Sequence, residues 1–249
     1  MKKTMAFALT ACLLAALLAG CSQTPAGSST PETTSSAAES QPEETPAESA
    51  PEEEAPAEEP AAEESEEEPA EYVPGERTDT DYTNTTLGLH FALPETMVMA
   101  SDEEIQNMMQ VGSEMMYEDP ETGEKMLDYA QLTTVYEMVA ADVTNGSNVM
   151  VASEKLTLSG MTEDQYFAAL EQQLAQTTVT VDFGETEQIP LGNTTFTGMT
   201  YSVQNGEITA TQTMLLKKVG DRMYMVNFSY TDPAQYETLL SCFTPLEAV

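Results

Sequence analysis

The 249-residue sequence has eight lysines and arginines, one histidine and no tryptophan, set against 43 aspartates and glutamates. So few cations exclude nucleic acid as a partner, because neutralising phosphates requires a basic face. A Ser-His-Asp triad, a Cys-His pair or a His-rich zinc site would each have to use His90, the single histidine. It falls on the polar side of an alternating segment, and no G-x-S-x-G elbow accompanies it, so it reads as a solvated strand histidine. Neither a P-loop nor a G-x-G-x-x-G fingerprint occurs. Long apolar runs are missing too: the longest, Met5 to Leu18, has about 14 residues where a span needs roughly 20.

What is present at the start has three parts. Lys2 and Lys3 precede the apolar run, and the small residues Ala19 and Gly20 lead into Cys21. This is a secretory signal layout. Leu18, Ala19, Gly20 and Cys21 resemble the lipobox of bacterial lipoproteins, in which the cysteine sulfur receives a diacylglycerol and the peptide is cut just before it. The resemblance implies a signal peptide over residues 1–20 and a mature chain starting at Cys21. Its partner is then a membrane, held through a lipid anchor on the extracytoplasmic face. Each buried methylene contributes about 0.8 kcal/mol, and two acyl chains suffice for stable anchoring where one is marginal.

Cysteine is scarce as well, with three in the chain. On the lipobox resemblance Cys12 leaves with the signal peptide and Cys21 becomes a thioether, so Cys242 remains alone and no intramolecular disulfide can form. The exported domain must then be held by its core. Cys242 lies near Leu239, Leu240 and Phe243 with no basic neighbour, the setting of a buried, inert thiol.

Residues 22–76 contain 17 glutamates and no Lys, Arg or Asp, with Pro, Ala, Ser and Thr making up most of the rest. Such a segment cannot bury enough surface to offset chain entropy and is expected to be disordered. Fully extended it reaches about 190 Å; a flexible neutral chain of that length averages ~40 Å, and prolines and charge repulsion lengthen it. Residues 21–76 therefore read as a lipidated cysteine followed by a tether.

The remaining residues, 77–249, hold six basic and 26 acidic side chains and are long enough for one domain with a proper core. Leu87, Leu89, Phe91 and Leu93 alternate with Gly88, His90 and Ala92, a strand ended by Pro94. Ser101 and Glu104 form a capping box, predicting a helix from about Asp102 to Tyr117 with Ile105, Met108, Met109, Gly112 and Met116 inward. Leu132–Ala140 and Ser147–Thr157 read as strands joined by a two-residue Asn145-Gly146 turn. Thr162 and Gln165 box the start of a second helix with a stripe of Tyr166, Phe167, Leu170 and Leu174. Alternating segments at Thr178–Gln188, Thr194–Gln204, Glu207–Val219 and Arg222–Tyr230 predict an antiparallel meander. Asp232 and Pro233 then open a last helix carrying Tyr236, Leu239, Leu240 and Phe243.

The order predicts an α+β fold, an antiparallel sheet with helices packed on it. The segments LGLHFALPE (87–95), GSNVMVASEKL (146–156), GMTEDQYFAALEQQL (160–174) and TMLLKKVGDRMYMVNFSY (213–230), with the helix DPAQYETLLSCF (232–243), resemble the PsbP-like fold family. That family includes a photosystem extrinsic subunit, a nuclear import factor that binds a small GTPase, and many bacterial lipoproteins. The likeness covers most of residues 82–246. No binding residue of the photosystem subunit or the import factor matches a position here, so neither role passes to this chain.

Candidate ligand-binding groups are few. Met108, Met109, Met115 and Met116 are soft thioethers that would suit Cu(I), but Met109 and Met116 share one helical face, the pattern of core packing. Asp79 and Asp81 lack the glycine and distal glutamate of an EF-hand. Glu118, Asp119, Glu121 and Glu124 surround Pro120 and Gly123 and read as a solvated acidic loop between a helix and a strand, without a metal. The expectation is a non-catalytic binding or scaffold domain with no cofactor. Its partner would be an envelope protein or a small-molecule ligand, met on an open sheet face or at that acidic loop. A small-molecule or metal-binding lipoprotein and an envelope hydrolase with an unrecognised carboxylate pair stand as the alternatives.

Overall fold

The structure is a computed structural model and describes residues 72–117, 119–177, 179–205 and 208–247. The expected signal peptide, Cys21, the expected tether up to residue 71 and Glu118 lie outside the described residues.

The elements run β1 (Glu76–Arg77), β2 (Asp81–Asn84), β3 (Leu89–Ala92), β4 (Met97–Met99), α1 (Asp102–Met116), α2 (Pro120–Thr133), β5 (Thr134–Asp142) and β6 (Asn148–Lys155). They continue with α3 (Glu163–Leu174), β7 (Thr180–Leu191), β8 (Thr194–Asn205), β9 (Ile208–Val219), β10 (Arg222–Tyr230), α4 (Pro233–Ser241) and β11 (Phe243–Pro245). A seven-stranded sheet has the order β4-β5-β6-β10-β9-β8-β7, and a four-stranded sheet the order β1-β2-β3-β11. Every pairing is antiparallel, so the fold is α+β.

Strand β10 shows how the layers stack. Met223 and Met225 join a core with Phe167, Leu170 and Leu174 of α3. The alternate residues Tyr224, Val226 and Phe228 join a second core with Leu89 and Phe91 of β3 and Leu239 of α4. A third cluster, around Ile105, Met109, Val139 and Met150, seats α1 on β5 and β6, with Met108 and Leu127 packed against it. The large sheet thus carries α1, α2 and α3 on one face and the small sheet with α4 on the other. Its middle strands are apolar on both faces, and this corrects the expectation of an open sheet face.

Several predicted elements stand as expected, with their caps. Ser101 and Glu104 box α1, and Thr162 and Gln165 box α3. Asp232 caps α4, which has Pro233 at its first turn, and the meander occupies β7 to β10 with glycines of positive φ at positions 192 and 220. Other expectations change. The acidic stretch after α1 is the first turn of a helix: Asp119 caps α2, its carboxylate accepting from Thr122 N at 3.2 Å. Leu132, expected to begin a strand, is helical and 84% exposed.

The β5–β6 connection is a five-residue loop, 143–147, closed by Asp142 N donating to Ser147 O at 2.8 Å. It is wider than a two-residue turn because Asp142 folds it from inside, accepting from Thr144 N at 2.8 Å and from Thr96 Oγ1 at 2.9 Å. Phe243 leaves the last helix for β11, opposite Phe91. The folded unit also begins before residue 77: Tyr72, Gly75 and Glu76, placed in the tether by composition, bond to the domain.

Candidate functional site

α1 and α2 approach most closely near their shared turn. Ser113 Oγ donates to Gly123 O at 2.8 Å, and a Cβ on Gly123 would lie 3.1 Å from that hydroxyl oxygen. Toward the other end of the pair, over the start of β5, a groove of ≈ 410 Å³ opens between them. This is within the range of small-molecule sites. Ile105 and Met109 from α1, Leu127 and Ala130 from α2, and Tyr136 from β5 supply about half of its surface as apolar wall, while Asp102, Gln106 and Gln131 supply polar groups.

One lining residue is out of keeping with the rest. Thr134 is 7% exposed, and its Oγ1 is buried with no hydrogen-bond partner. Buried hydroxyls almost always find a partner, so this one, closed to solvent although its residue lines the groove, stands out. The groove's charge is equally informative. Asp102 is its one ionisable acid and pairs with Arg77, and no Lys, Arg or His lines it. An anion would find no counter-charge there, whereas an uncharged ligand loses nothing.

A second hollow of ≈ 520 Å³ lies at Thr157–Met161 and Gln165. It is lined mainly by one loop and presents no buried unpartnered group among the described residues.

A polar cluster on the opposite face of the large sheet is built on Glu137. The β5–β6 register shifts between Tyr136 and Met138, a bulge that leaves Glu137 unpaired. Tyr136 packs toward the helices and Met138 toward the small sheet. Without the extra residue the two would share a face. Glu137, 6% exposed, accepts from Tyr72 OH at 3.0 Å, Gly75 N at 2.8 Å, Tyr82 OH at 2.6 Å and Asn84 Nδ2 at 3.0 Å. Burial, with the Glu137 charge nearby, pushes the Tyr72 hydroxyl up to about 12 and the Tyr82 hydroxyl higher still, so both stay protonated donors. A further buried carboxylate, Glu154, lies across the ladder from Thr134 and accepts from Tyr166 OH at 2.6 Å.

The residues singled out in the sequence are dispersed. Asp119 is used by the α2 cap, and the hydrogen bond from the Thr122 side chain holds its carboxyl below the usual range. Glu121 pairs with Lys125 at 2.6 Å in solvent, and Glu124 is exposed on the same helix. Among the described residues no three His, Cys, Asp or Glu side chains converge as a metal site. His90 bonds Asp81 at 3.1 Å and Thr244 at 3.3 Å across the small sheet. Cys242 is 8% exposed, and burial pushes its thiol up, the condition of an unreactive sulfur. Neither Thr134 nor Glu137 was distinguished by the sequence pattern. The one available signal for Glu137 is a charge inside the apolar run from Val135 to Ala141.

No protein-family model and no curated protein matches the sequence. Among solved structures the chain is similar to the solution structure of cyanobacterial PsbP (CyanoP) from Synechocystis sp. PCC 6803. The alignment has 12% identity and a TM-score of 0.41, and covers 67% of this chain and 91% of that one. No family and no residue role passes to this chain from a likeness of this size.

Proposed function

We propose that this chain is an exported lipoprotein, anchored through Cys21 on the extracytoplasmic face of a membrane, whose folded domain works by binding and not by catalysis. The α1–α2 groove is its binding site. The ligand is a small, uncharged, largely apolar molecule with one hydrogen-bonding group, seated on Ile105, Met109, Leu127 and Tyr136 with that group against Thr134 Oγ1. The orphan Thr134 hydroxyl is the observation that carries this reading. It gives the empty protein a cost, and a ligand that shifts the groove wall enough to reach it gains a bond.

Two effects of opposite sign test it. Thr134→Val removes the hydroxyl at nearly constant shape and is expected to stabilise the unliganded domain by up to about 1 kcal/mol, because a buried orphan disappears. The same change is expected to weaken a neutral, carbonyl-bearing solvatochromic dye such as Nile red by about tenfold, the worth of one hydrogen bond. Urea unfolding and dye titration read the two effects. Unchanged dye affinity, or a destabilised variant, would show that the hydroxyl serves the fold.

The anchor is tested separately. Cys21→Ala is expected to release the protein or leave an uncleaved precursor on fractionation. Membrane retention of a cleaved Cys21→Ala form would count against lipidation.

A further inference from the structure

The first described residues are held in an unusual way. Tyr72 rests on the large sheet, with Arg222 stacked on its ring at 3.7 Å and Tyr224 at 6.4 Å, and its hydroxyl donates to Glu137 and accepts from Ser153 at 3.1 Å. Gly75 N donates to the same carboxylate. Only glycine fits there, since a Cβ would lie 2.4 Å from the Tyr82 ring. Two residues of β1 then pair with β2, and Arg77 reaches Asp102 at the start of α1.

The intervening side chains contribute little burial: Val73 is 53% exposed, and Pro74 and Glu76 are exposed as well. Docking also leaves a buried defect, because Arg77 Nη1 has no partner. A short segment with one ring, Tyr72, packed on the core, otherwise held by polar bonds and carrying an orphan donor, belongs to the low end of local stability. On leaving, its own groups regain water. Glu137 keeps Tyr82 and Asn84 as donors, so the site survives the departure.

We propose that Tyr72–Arg77 is a latch, a strap that docks on the bulge carboxylate Glu137 and opens independently of the rest of the domain. When docked it shields the junction between the N-terminal segment and the folded unit from proteolytic release. The junction is marked chemically, because Arg77 is the first basic residue after Lys3 and is followed by Thr78. In the closed state the Arg77–Thr78 bond lies at the end of β1, with the Arg77 side chain 20% exposed and ion-paired. Opening the latch presents it to a trypsin-like protease, and one cut separates the domain from everything N-terminal to it. The inference stands on the contacts of residues 72–77 and does not depend on the groove or the lipid.

Limited trypsin digestion of the full chain tests it, with fragments assigned by mass. Cleavage after Arg77 reports the latch, and cleavage after Lys217 or Lys218, inside β9, reports global unfolding. Gly75→Ala blocks docking sterically, and Tyr72→Phe removes the bond to Glu137 and the one from Ser153 while keeping the ring. In each, cleavage after Arg77 is expected to accelerate by about tenfold or more, the factor for one lost hydrogen bond in a local opening equilibrium, with the β9 sites as resistant as before. Equal Arg77 cleavage in both variants and the parent chain would overturn the proposal. So would β9 cleavage rising in step, since the strap would then be an inseparable part of the fold.

Discussion

Replacing Glu137 with leucine is expected to lower the free energy of unfolding by about 3–5 kcal/mol, an effect on the scale of breaking a buried ion pair. Four donors converge on this carboxylate, and they do not lose it equally. Tyr72 OH and Gly75 N belong to the exposed strap and recover water when it undocks. Tyr82 and Asn84 are both 0% exposed and have no such route. Asn84 Oδ1 must also keep accepting from Leu87 N at 2.9 Å, which fixes the amide's orientation and points Nδ2 at the vacated site. Asn84 Nδ2 still donates to Tyr82 OH at 3.0 Å, so most of the cost falls on the Tyr82 hydroxyl, which loses its acceptor. Glu137→Gln keeps an acceptor and the shape, and is expected to lose less than half as much. Urea unfolding monitored by circular dichroism measures both, with the ten tyrosines as the intrinsic fluorophore in a chain that has no tryptophan. Equal losses for leucine and glutamine would mean that volume at the bulge, and not hydrogen bonding, sets the stability.

Phe228→Ala is the second large effect, also about 3–5 kcal/mol, from lost transfer energy and the cavity left behind. Phe228 is 0% exposed at the centre of the core between the two sheets. Its ring meets Tyr236 edge-on at 5.4 Å and Phe243 at 5.8 Å, and Phe243 in turn meets Phe91 at 5.0 Å. Three elements, β10, α4 and β11, thus share one aromatic contact set, and collapse around a smaller residue would have to move all three. Leu132→Ala is the matched control. With Leu132 84% exposed, the change is expected to stay within about 0.5 kcal/mol by the same denaturation measurement.

Where sequence reasoning succeeded and where it failed has a consistent cause. The ends of α1, α3 and α4 were legible because a cap is a contact between residues three apart. The meander was legible because alternation and positive-φ turns are local. Helix α2 shows how one reading displaced another. Asp119-Pro120 is the same N-cap and first-turn pair as Asp232-Pro233, and Glu121 with Lys125 adds a favourable spacing of four. The density of acids in EDPETGEK points, by composition alone, to a solvated loop.

The candidate groove was not legible. Its lining comes from α1, α2 and β5, and its key atom is identified by the absence of a partner, a property no spacing encodes. Glu137 was hidden for a related reason. A bulge changes which face a residue takes without leaving a pattern of its own, and the donors to Glu137 lie 53 to 65 residues away in the chain.

The sequence by itself determined the composition break near residue 77, the scarcity of cations, the caps, the meander and the α+β class, since each rests on composition or on neighbours along the chain. Only the tertiary structure decided that both faces of the large sheet are covered, that the folded unit reaches back to Tyr72, that Thr134 lacks a partner, and that a bulge turns Glu137 inward. Those outcomes depend on which distant segments compete for the same buried surface, and the satisfaction of a polar group is settled only when they have packed.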